Sequence, residues 1–288
     1  MGRWGDGEMG RITNALVPSL QPMRQLATES PSTWRLIPML QTSGGVQMAI
    51  DAWLFKQCEE GQHPPTLRFY TWHPHALSLG HLQKQWPAQW HNLIYQGQQL
   101  DVVRRPTGGR AVLHQGDLSY ALVTRASTAK SWAIYENICN FLIQGWQTLG
   151  VKLNYGSAGR GYIHNPSCFN TATAADLVTP DGSKFIGSAQ RKGRNTILQH
   201  GSMILSTDKG LFEEIFEQSA PWNTSFCKTE EQDSWIVKIV DTLTQTAKQY
   251  FGIELVAQPF TEQEWEDILK LRSLYEVRSG TVSLKSKI

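Results

Sequence analysis

The chain has 288 residues, of which 40% are hydrophobic and 18% charged, and its formal net charge is +2. This composition is typical of a soluble globular protein, and the nearly neutral charge argues against nucleic acid as the main partner, since phosphate binding needs a concentrated basic face. No apolar run approaches the roughly 20 residues that span a bilayer, and the N-terminus lacks the apolar segment of a secretory signal, so we expect no membrane partner and a cytoplasmic location.

Residues 1–30 mix glycine, serine, proline and scattered charges without periodicity, which predicts a mobile N-terminal arm before a single catalytic domain over 31–288. In chain order, the apolar patterns predict a strand at 34–37, a helix at 46–60, strands at 67–71, 100–103, 111–113 and 118–123, and a helix at 132–149. Strands at 151–153, 176–178, 185–186 and 203–205 follow, then a helix at 234–251 and a final helix opened by a capping box at Thr261 and Glu264. The pattern predicts an α/β protein, with a mixed sheet flanked by helices.

Four cysteines occur, at 58, 139, 168 and 227, without a CxxC pair. Their spacing is typical of a reducing compartment rather than a disulfide framework. Cys58 and Cys139 fall on apolar-patterned helices, so we interpret them as small core residues. Cys168 lies in a polar, turn-rich segment (NPSCFN), where a thiol is more often reactive, although an inert surface cysteine is the alternative.

The segment RRPTGGRAVLH, from Arg104 to His114, places arginines, a threonine and two glycines between two strand-like runs. Backbone amides and guanidinium groups in such a loop can close on an anionic or carbonyl-bearing ligand. A tight hairpin with solvated arginines is the alternative interpretation.

This segment resembles the R-R-x-[ST]-G-G-x-A-V-x-H signature of the biotin/lipoate ligase and transferase superfamily. DGSKFIGSAQR at 181–191 and LQHGS at 198–202 are similar to two further segments of that family, and MAID at 48–51, WHP at 72–74 and LG at 79–80 are weaker matches. The matches keep the family's order over roughly residues 30 to 275, which makes them more specific than one motif. The resemblance implies the biotin-protein-ligase-like catalytic fold, related to class II aminoacyl-tRNA synthetases.

Lys184 follows a turn and opens an apolar strand, and from spacing alone a solvated strand-edge charge is the favoured interpretation. The resemblance gives it a sharper meaning, because the family's cysteine-dependent octanoyltransferases have a cysteine followed by phenylalanine before the lysine block, as Cys168 and Phe169 stand here. It implies that Lys184 stabilises a Cys168 thiolate, which takes an octanoyl group from acyl-carrier protein as a thioester. A lysine of a lipoyl domain then receives the group, without ATP, in lipoate biosynthesis. The acceptors implied are lipoyl domains of 2-oxoacid dehydrogenases or the glycine-cleavage H protein.

Three alternatives remain at this point. An ATP-dependent lipoate–protein ligase would use Lys184 to hold an acyl-adenylate, and a lipoyl-domain amidotransferase would also work through cysteine. A carrier-binding module without chemistry is disfavoured by the joint presence of Cys168, Lys184 and both glycine loops. Arg110, where ligases of the family typically have a third glycine, and the chain's end soon after the final helix both favour the transferase.

The substrate contacts that we predict lie in the two glycine-containing segments and the nearby strands: Arg104, Arg105, Thr107, Gly108, Gly109, Arg110, Ala111, His114, Tyr70, Trp72, Gly80, Gly187, Ser188, Ala189, His200 and Gly201. The acyl chain needs an apolar slot, for which we propose the surroundings of Tyr70, Trp72, Leu77 and Leu79, with ordinary core as the alternative. His114 and His200 fit a structural role better than that of general base, and His200 is the choice if one of them is a base.

A cluster of cations and a set of histidines also bear on binding. A local basic patch for acidic carrier proteins is predicted from the cations of the two motif segments: Arg104, Arg105, Arg110, Arg191, Lys192 and Arg194. The histidines at 63, 73, 75, 81 and 91 match no closed zinc ligand set, so we expect neither a metal nor another cofactor.

Overall fold

The computed structural model describes residues 32–125, 131–156, 176–223 and 225–277. The predicted N-terminal arm and Cys168 both lie outside the described residues. The helices within this part of the chain are α1 (Gly44–Glu59), α2 (Ser131–Thr148), α3 (Lys209–Phe216), α4 (Gln232–Phe251) and α5 (Glu262–Leu271). Its strands are β1 (Thr33–Thr42), β2 (Thr66–Trp72), β3 (Ala76–Leu79), β4 (Ile94–Tyr95), β5 (Gln98–Gln99), β6 (Asp101–Arg104), β7 (Val112–His114), β8 (Asp117–Arg125), β9 (Asn154–Tyr155), β10 (Leu177–Val178), β11 (Lys184–Lys192), β12 (Thr196–Ile204) and β13 (Glu254–Ala257).

Eight strands form one mixed sheet in the order β13-β1-β2-β8-β12-β11-β10-β9. Strand β1 runs parallel to both of its neighbours, and the pairs from β2 to β9 are antiparallel. A smaller sheet has the order β6-β3-β7, and β4 and β5 form a short separate pair. This arrangement confirms the predicted mixed sheet with flanking helices.

Alternate residues of the central strands supply a different core on each face of the large sheet. On β8, Tyr120 and Leu122 pack with helices α2 and α4, whereas Ala121 and Val123 face helix α1. This is the period-2 alternation of a strand that is covered on both faces. A third cluster joins the small sheet to helix α3 and contains Leu77 and Leu79.

Helix α1 is buried on all sides over Gly44–Phe55, although the sequence predicted a single apolar face. It lies against the large sheet and also against β6 and α5, so solvent reaches little of its length. Two polar side chains, Gln47 and Asp51, are consequently buried within it. Polar groups in such a position need hydrogen-bond partners, and their partners lie at the site described below.

Most predicted elements are confirmed, including the capping box at Thr261 and Glu264 and the burial of Cys58 and Cys139. The strand predicted at 151–153 is wrong. Gly150 has a φ of +83°, and Val151 N–H donates to Trp146 O at 2.9 Å, which closes helix α2 before the strand at Asn154–Tyr155 begins. The apolar residues at 151 and 153 therefore pack after a helix terminus rather than in a strand.

The sequence did not predict β3, α3 or β13, and it placed only parts of β11 and β12. None of the helices in the described ranges is long and apolar enough to cross a membrane.

Candidate functional site

A cleft lies where the small sheet faces the middle of the large one. It encloses about 470 Å³ of space free of atoms, its open mouth included. The large sheet and helix α1 supply Met48, Tyr70, Trp72, Ser119, Lys184, Gly187, Ser188, Ala189, His200, Gly201 and Ser202, and Asp176 lies beside them, just before β10. The small sheet and the loop after β6 supply Ser78, Arg105, Val112 and His114.

Both sequence segments of the predicted site thus meet at one cleft, although they are about 80 residues apart in the chain. The remaining predicted residues do not line it. They lie in the loop between β6 and β7 or at the end of β3: Gly80, Arg104, Thr107, Gly108, Gly109, Arg110 and Ala111. Leu77 and Leu79 belong to the core of the small sheet, so the acyl slot cannot extend to them as proposed.

The glycine loop is not a hairpin, because β6 and β7 do not pair with each other. Both pair with β3, which lies between them, parallel to β6 and antiparallel to β7. The loop therefore crosses one end of β3. A Cβ on Gly80, next after β3, would lie 1.8 Å from the carbonyl oxygen of Gly109. The glycine at 80 is needed for backbone to approach backbone, and not, as the sequence suggested, for the backbone to approach a ligand.

Arg104 and Arg105, the first two residues of the signature segment, use their donors inside the protein. Arg105 is only 5% exposed, and its guanidinium donates to the carbonyl oxygens of Ser78 (2.9 Å), Gly108 (2.7 Å) and Arg110 (2.8 Å). Arg104 donates to the carbonyl oxygens of Gly80 (2.8 Å) and Gln83 (2.7 Å). A planar donor with several N–H groups suits such bridging.

Their role in the structure is to hold the loop's shape. The predicted basic patch therefore loses Arg105, which is buried, whereas Arg191, Lys192 and Arg194 are exposed beyond the cleft.

Lys184 is buried, with 3% of its side chain exposed, so the interpretation as a solvated strand-edge charge is wrong. Its Nζ lies 3.0 Å from Oδ1 of Asp176, which is also buried. The reason is that β11 is covered by β10 and β12 on its sides and does not form the sheet edge. A buried ammonium needs a counter-charge, because taking a charge out of water is costly.

A second buried chain of polar groups runs through His200. The Oδ2 of Asp51 lies 2.7 Å from His200 Nδ1, and His200 Nε2 lies 2.6 Å from Oγ1 of Thr107. Arg68 donates from Nε to Asp51 Oδ1 at 2.8 Å. Burial by itself raises the pKa of Asp51. The Arg68 charge and the His200 contact together lower this pKa by more than burial raises it, so the pKa of Asp51 lies below its ordinary value.

Burial lowers the pKa of His200, whereas the neighbouring Asp51 raises it, and the net shift is downward. A charged Asp51 and a neutral imidazole fix the proton on Nδ1, and Nε2 is then the acceptor. The Thr107 hydroxyl donates to it. This contact connects the signature loop to β12.

A third group of contacts converges on Asp117. His114 Nδ1 lies 2.9 Å from Asp117 Oδ2, which also accepts hydrogen bonds from Ser202 (2.6 Å) and Ser119 (3.2 Å). The ring of Trp72 stacks on His114 at 3.9 Å between centroids. His114 therefore holds the wall of the cleft, and its two ring nitrogens are both engaged, since Nε2 lies 2.9 Å from Ser78 Oγ.

A model of the lipoyl protein ligase A/B catalytic domain matches residues 43–263 of the chain. The chain belongs to this family. The match spans helix α1, both motif segments and the start of helix α5, so every described wall of the cleft lies within it.

Two proteins that are named octanoyltransferase LipM are similar to this chain. The relative from Exiguobacterium sp. is 33% identical over 251 residues, which cover 83% of this chain and 88% of the relative. The relative from Brevibacillus brevis is 36% identical over 195 residues, which cover 62% of this chain and 68% of the relative.

Two solved structures have a similar fold. A lipoate-protein ligase A bound with ATP superposes with a TM-score of 0.67 at 20% identity, covering 84% of this chain and 94% of the other. P. falciparum LipL1 in complex with lipoate gives 0.61 at 14% identity, with 89% and 75% covered. At such identities the likeness shows the fold alone.

Three carboxylates hold polar side chains of the cleft in place, and none of the three was predicted from the sequence as a site residue. Asp51, Asp117 and Asp176 lie beside His200, His114 and Lys184 respectively. Two of these carboxylates lie in or near segments that resemble the family. Asp51 is in the MAID match, and Asp117 follows the signature histidine, His114, by three residues. Asp176 had no sequence signal, because its pairing with Lys184 depends on how the chain folds back.

Proposed function

We propose that the chain is an octanoyltransferase that moves an octanoyl group to a lysine of a lipoyl domain through a thioester on Cys168. The relatives named octanoyltransferase support the activity. The observation that carries the proposal is the buried ammonium of Lys184, at the wall of a cleft whose other walls are the family's signature segments. Cys168, which lies outside the described residues, is assigned from its sequence motif, and it precedes Asp176 by eight residues in the chain.

The cleft suits an acyl chain beside a charged group. Met48, Tyr70, Trp72 and Val112 supply apolar surface, and each CH₂ of an eight-carbon chain gains about 0.8 kcal/mol when it is buried. Gly187 and Gly201 lie at that wall in the adjacent strands β11 and β12, next to the small side chains of Ser188, Ala189 and Ser202. We place the acyl carbonyl near Lys184, whose ammonium is a point donor for an oxygen that becomes negative during the attack.

In the first half of the reaction the Cys168 thiolate attacks the thioester carbonyl of the donor, for which we propose octanoyl-acyl-carrier protein. The bond from the carbonyl carbon to the Cys168 sulfur forms, and the bond to the carrier sulfur breaks. The carrier thiolate leaves with the electron pair and takes up the proton that Cys168 has lost. Because one thioester replaces another, this step needs no ATP.

In the second half the acceptor lysine, as a neutral amine that has lost one proton to solvent, attacks the carbonyl carbon of the Cys168 thioester. The N–C bond forms, the C–S bond breaks with its electron pair on the Cys168 sulfur, and the nitrogen loses a second proton to solvent, which leaves a stable amide and a free Cys168 thiolate. We propose lipoyl domains, such as those of 2-oxoacid dehydrogenases or the glycine-cleavage H protein, as acceptors.

The experiment that tests this function is intact mass spectrometry after mixing the protein with octanoyl-acyl-carrier protein, without nucleotide or magnesium. One octanoyl mass that hydroxylamine removes is the expected adduct, and Cys168→Ala should abolish it. Cys58→Ser and Cys139→Ser are matched controls, since both thiols are buried in the core and should leave the adduct intact. An adduct that survives in Cys168→Ala refutes the assignment. In a separate assay with octanoate, ATP and magnesium, octanoyl-adenylate formed at a rate comparable to that of the adduct would favour the ligase instead.

A further inference from the structure

The floor of the cleft follows one line of register across neighbouring strands of the large sheet. Gly187 on β11 pairs with Ser202 on β12. Ser202 pairs with Ser119 on β8, which in turn pairs with Tyr70 on β2. All of these residues line the cleft. Because paired residues of neighbouring strands point to the same face of a sheet, a glycine and two serines form a low floor, and Tyr70 is the first large side chain along it.

The ammonium of Lys184 lies at the beginning of this row. Leu177 pairs with Ile186 in the antiparallel pair of β10 and β11, so Asp176, the residue before Leu177, lies beside Gly187. The Nζ of Lys184 is 3.0 Å from Oδ1 of Asp176. An acyl group whose carbonyl oxygen contacts this ammonium can therefore extend along the row toward Tyr70.

The row has the length of an eight-carbon chain. Neighbouring strands lie about 4.8 Å apart, so Ser119 is about 10 Å from Gly187 across the sheet. The extended octanoyl group has seven C–C bonds of about 1.5 Å, which together span about 9 Å because the chain is zigzag. Its methyl end then lies above Ser119, and further carbons meet the ring of Tyr70.

We propose that Tyr70 is the residue that limits the acyl chain to about eight carbons. The inference rests on the proposed function and deepens it, because it concerns which straight-chain acyl thioesters the same cleft accepts as donors.

Tyr70 is fixed from three sides, so it does not turn away from a longer chain. Its hydroxyl donates to Asp51 Oδ2 at 3.3 Å, and the guanidinium carbon of Arg68 lies 3.9 Å from the centre of its ring. The ring of Trp72 is tilted against it, with 5.5 Å between centroids. In a densely packed interior such a side chain moves only if its neighbours move as well.

The cleft ends at Tyr70. Leu40, the partner of Tyr70 on β1, does not line the cleft. Helix α1 closes the space around the tyrosine, because Met48 of that helix lines the same end of the cleft and belongs to the same core cluster. A longer acyl chain therefore finds no open continuation beyond β2.

Competition between donors measures this limit. Wild-type protein is mixed with equal amounts of hexanoyl-, octanoyl- and decanoyl-acyl-carrier protein, and the early adducts, separated by mass, give the ratios of kcat/KM. Each buried methylene gains about 0.8 kcal/mol, which is about fourfold in rate, so octanoyl should exceed hexanoyl by about 15-fold. Decanoyl should fall about tenfold or more below octanoyl, because overpacking against a fixed ring is costly.

Tyr70→Val removes the ring and keeps a β-branched residue in the strand. Its ratio of decanoyl to octanoyl adduct should rise by about tenfold or more, because the overpacking is relieved. Tyr70→Phe loses only the hydroxyl and keeps the ring, so its optimum should stay at octanoyl. Tyr95→Val is the matched control outside the cleft, since Tyr95 contacts Asp208 and does not line the cleft, and its optimum should also stay at octanoyl.

Should Tyr70→Val fail to fold, as judged by circular dichroism, Ser119→Val provides the second variant. It raises the floor one strand before Tyr70, so its preference should move toward hexanoyl. An unchanged ratio of decanoyl to octanoyl in folded Tyr70→Val, an unchanged profile in Ser119→Val, or wild-type decanoyl adduct as abundant as octanoyl adduct overturns the inference and leaves the proposed function standing. Failure of the wild-type protein to form an adduct with any of the three donors overturns the proposed function instead.

Discussion

The pair of Lys184 and Asp176 allows stability and catalysis to be separated. Removing one partner of a buried ion pair costs about 3–5 kcal/mol, because the other charge stays buried without it. At about 2–4 °C per kcal/mol for a domain of this size, Lys184→Ala should lower Tm by roughly 6–20 °C. A solvated lysine at a strand edge would give no such loss, so the expected change in Tm follows from the burial of Lys184. If the ammonium also holds the acyl carbonyl, the rate of acylation should fall by about 100- to 1,000-fold.

The double variant Lys184→Met, Asp176→Asn removes both charges at similar volume, so it should recover most of the lost Tm, measured by circular dichroism. Its rate of adduct formation, measured by mass spectrometry below the Tm of each variant, should stay low. Lys270→Ala is the control, since the pair of Lys270 with Asp267 is exposed and its loss should not change Tm. A double variant that regains the wild-type rate together with its stability would show that Lys184 acts only on folding.

Three further outcomes follow from the same structure. Gly80→Ala should lower Tm strongly because its Cβ would meet the Gly109 carbonyl, whereas Gly108→Ala, with nothing within 4 Å of its Cβ, should leave Tm near wild type. Arg105→Lys should raise KM for the donor and lower Tm, since an ammonium cannot bridge the three carbonyl groups, and equal KM values would contradict the loop-holding role. The pKa of His200 in the folded protein lies below its unfolded value of about 6.5. The contribution of His200 to stability is therefore complete above that pH and is lost as pH falls, by up to about 1.4 kcal/mol per pH unit. His200→Asn should flatten this part of the plot of Tm against pH.

Local patterns were enough to predict most helices and the central strands. The 3.6-residue period of α2 and α4, and the paired hydrogen bonds at Thr261 and Glu264, depend on residues close in the chain. The short strand β3 escaped prediction because four buried residues carry no alternation, and its place between β6 and β7 is a long-range pairing.

The two motif segments were found from sequence because they resemble a family in a fixed order. That resemblance predicted which residues share a cleft, and Arg105, His114, Lys184 and His200 do line it. It could not give their roles. Arg105 binds carbonyl groups of its own loop, which depends on a backbone path that the sequence does not display.

The sequence alone determined the fold class and the types of side chain in the site. Apolar periodicity depends on residues close in the chain, and the order of the motif segments can be read along it. Tertiary structure alone decided which charges face one another. The sequence predicts Lys184 at an exposed strand edge, whereas β10 and β12 lie on either side of its strand. It predicts Asp51 only as a residue of a helix, whereas the Oδ2 of Asp51 lies 2.7 Å from His200 Nδ1. A charge keeps its full hydration on a surface and needs a partner in a core, and only the packing of distant segments determines which of these applies.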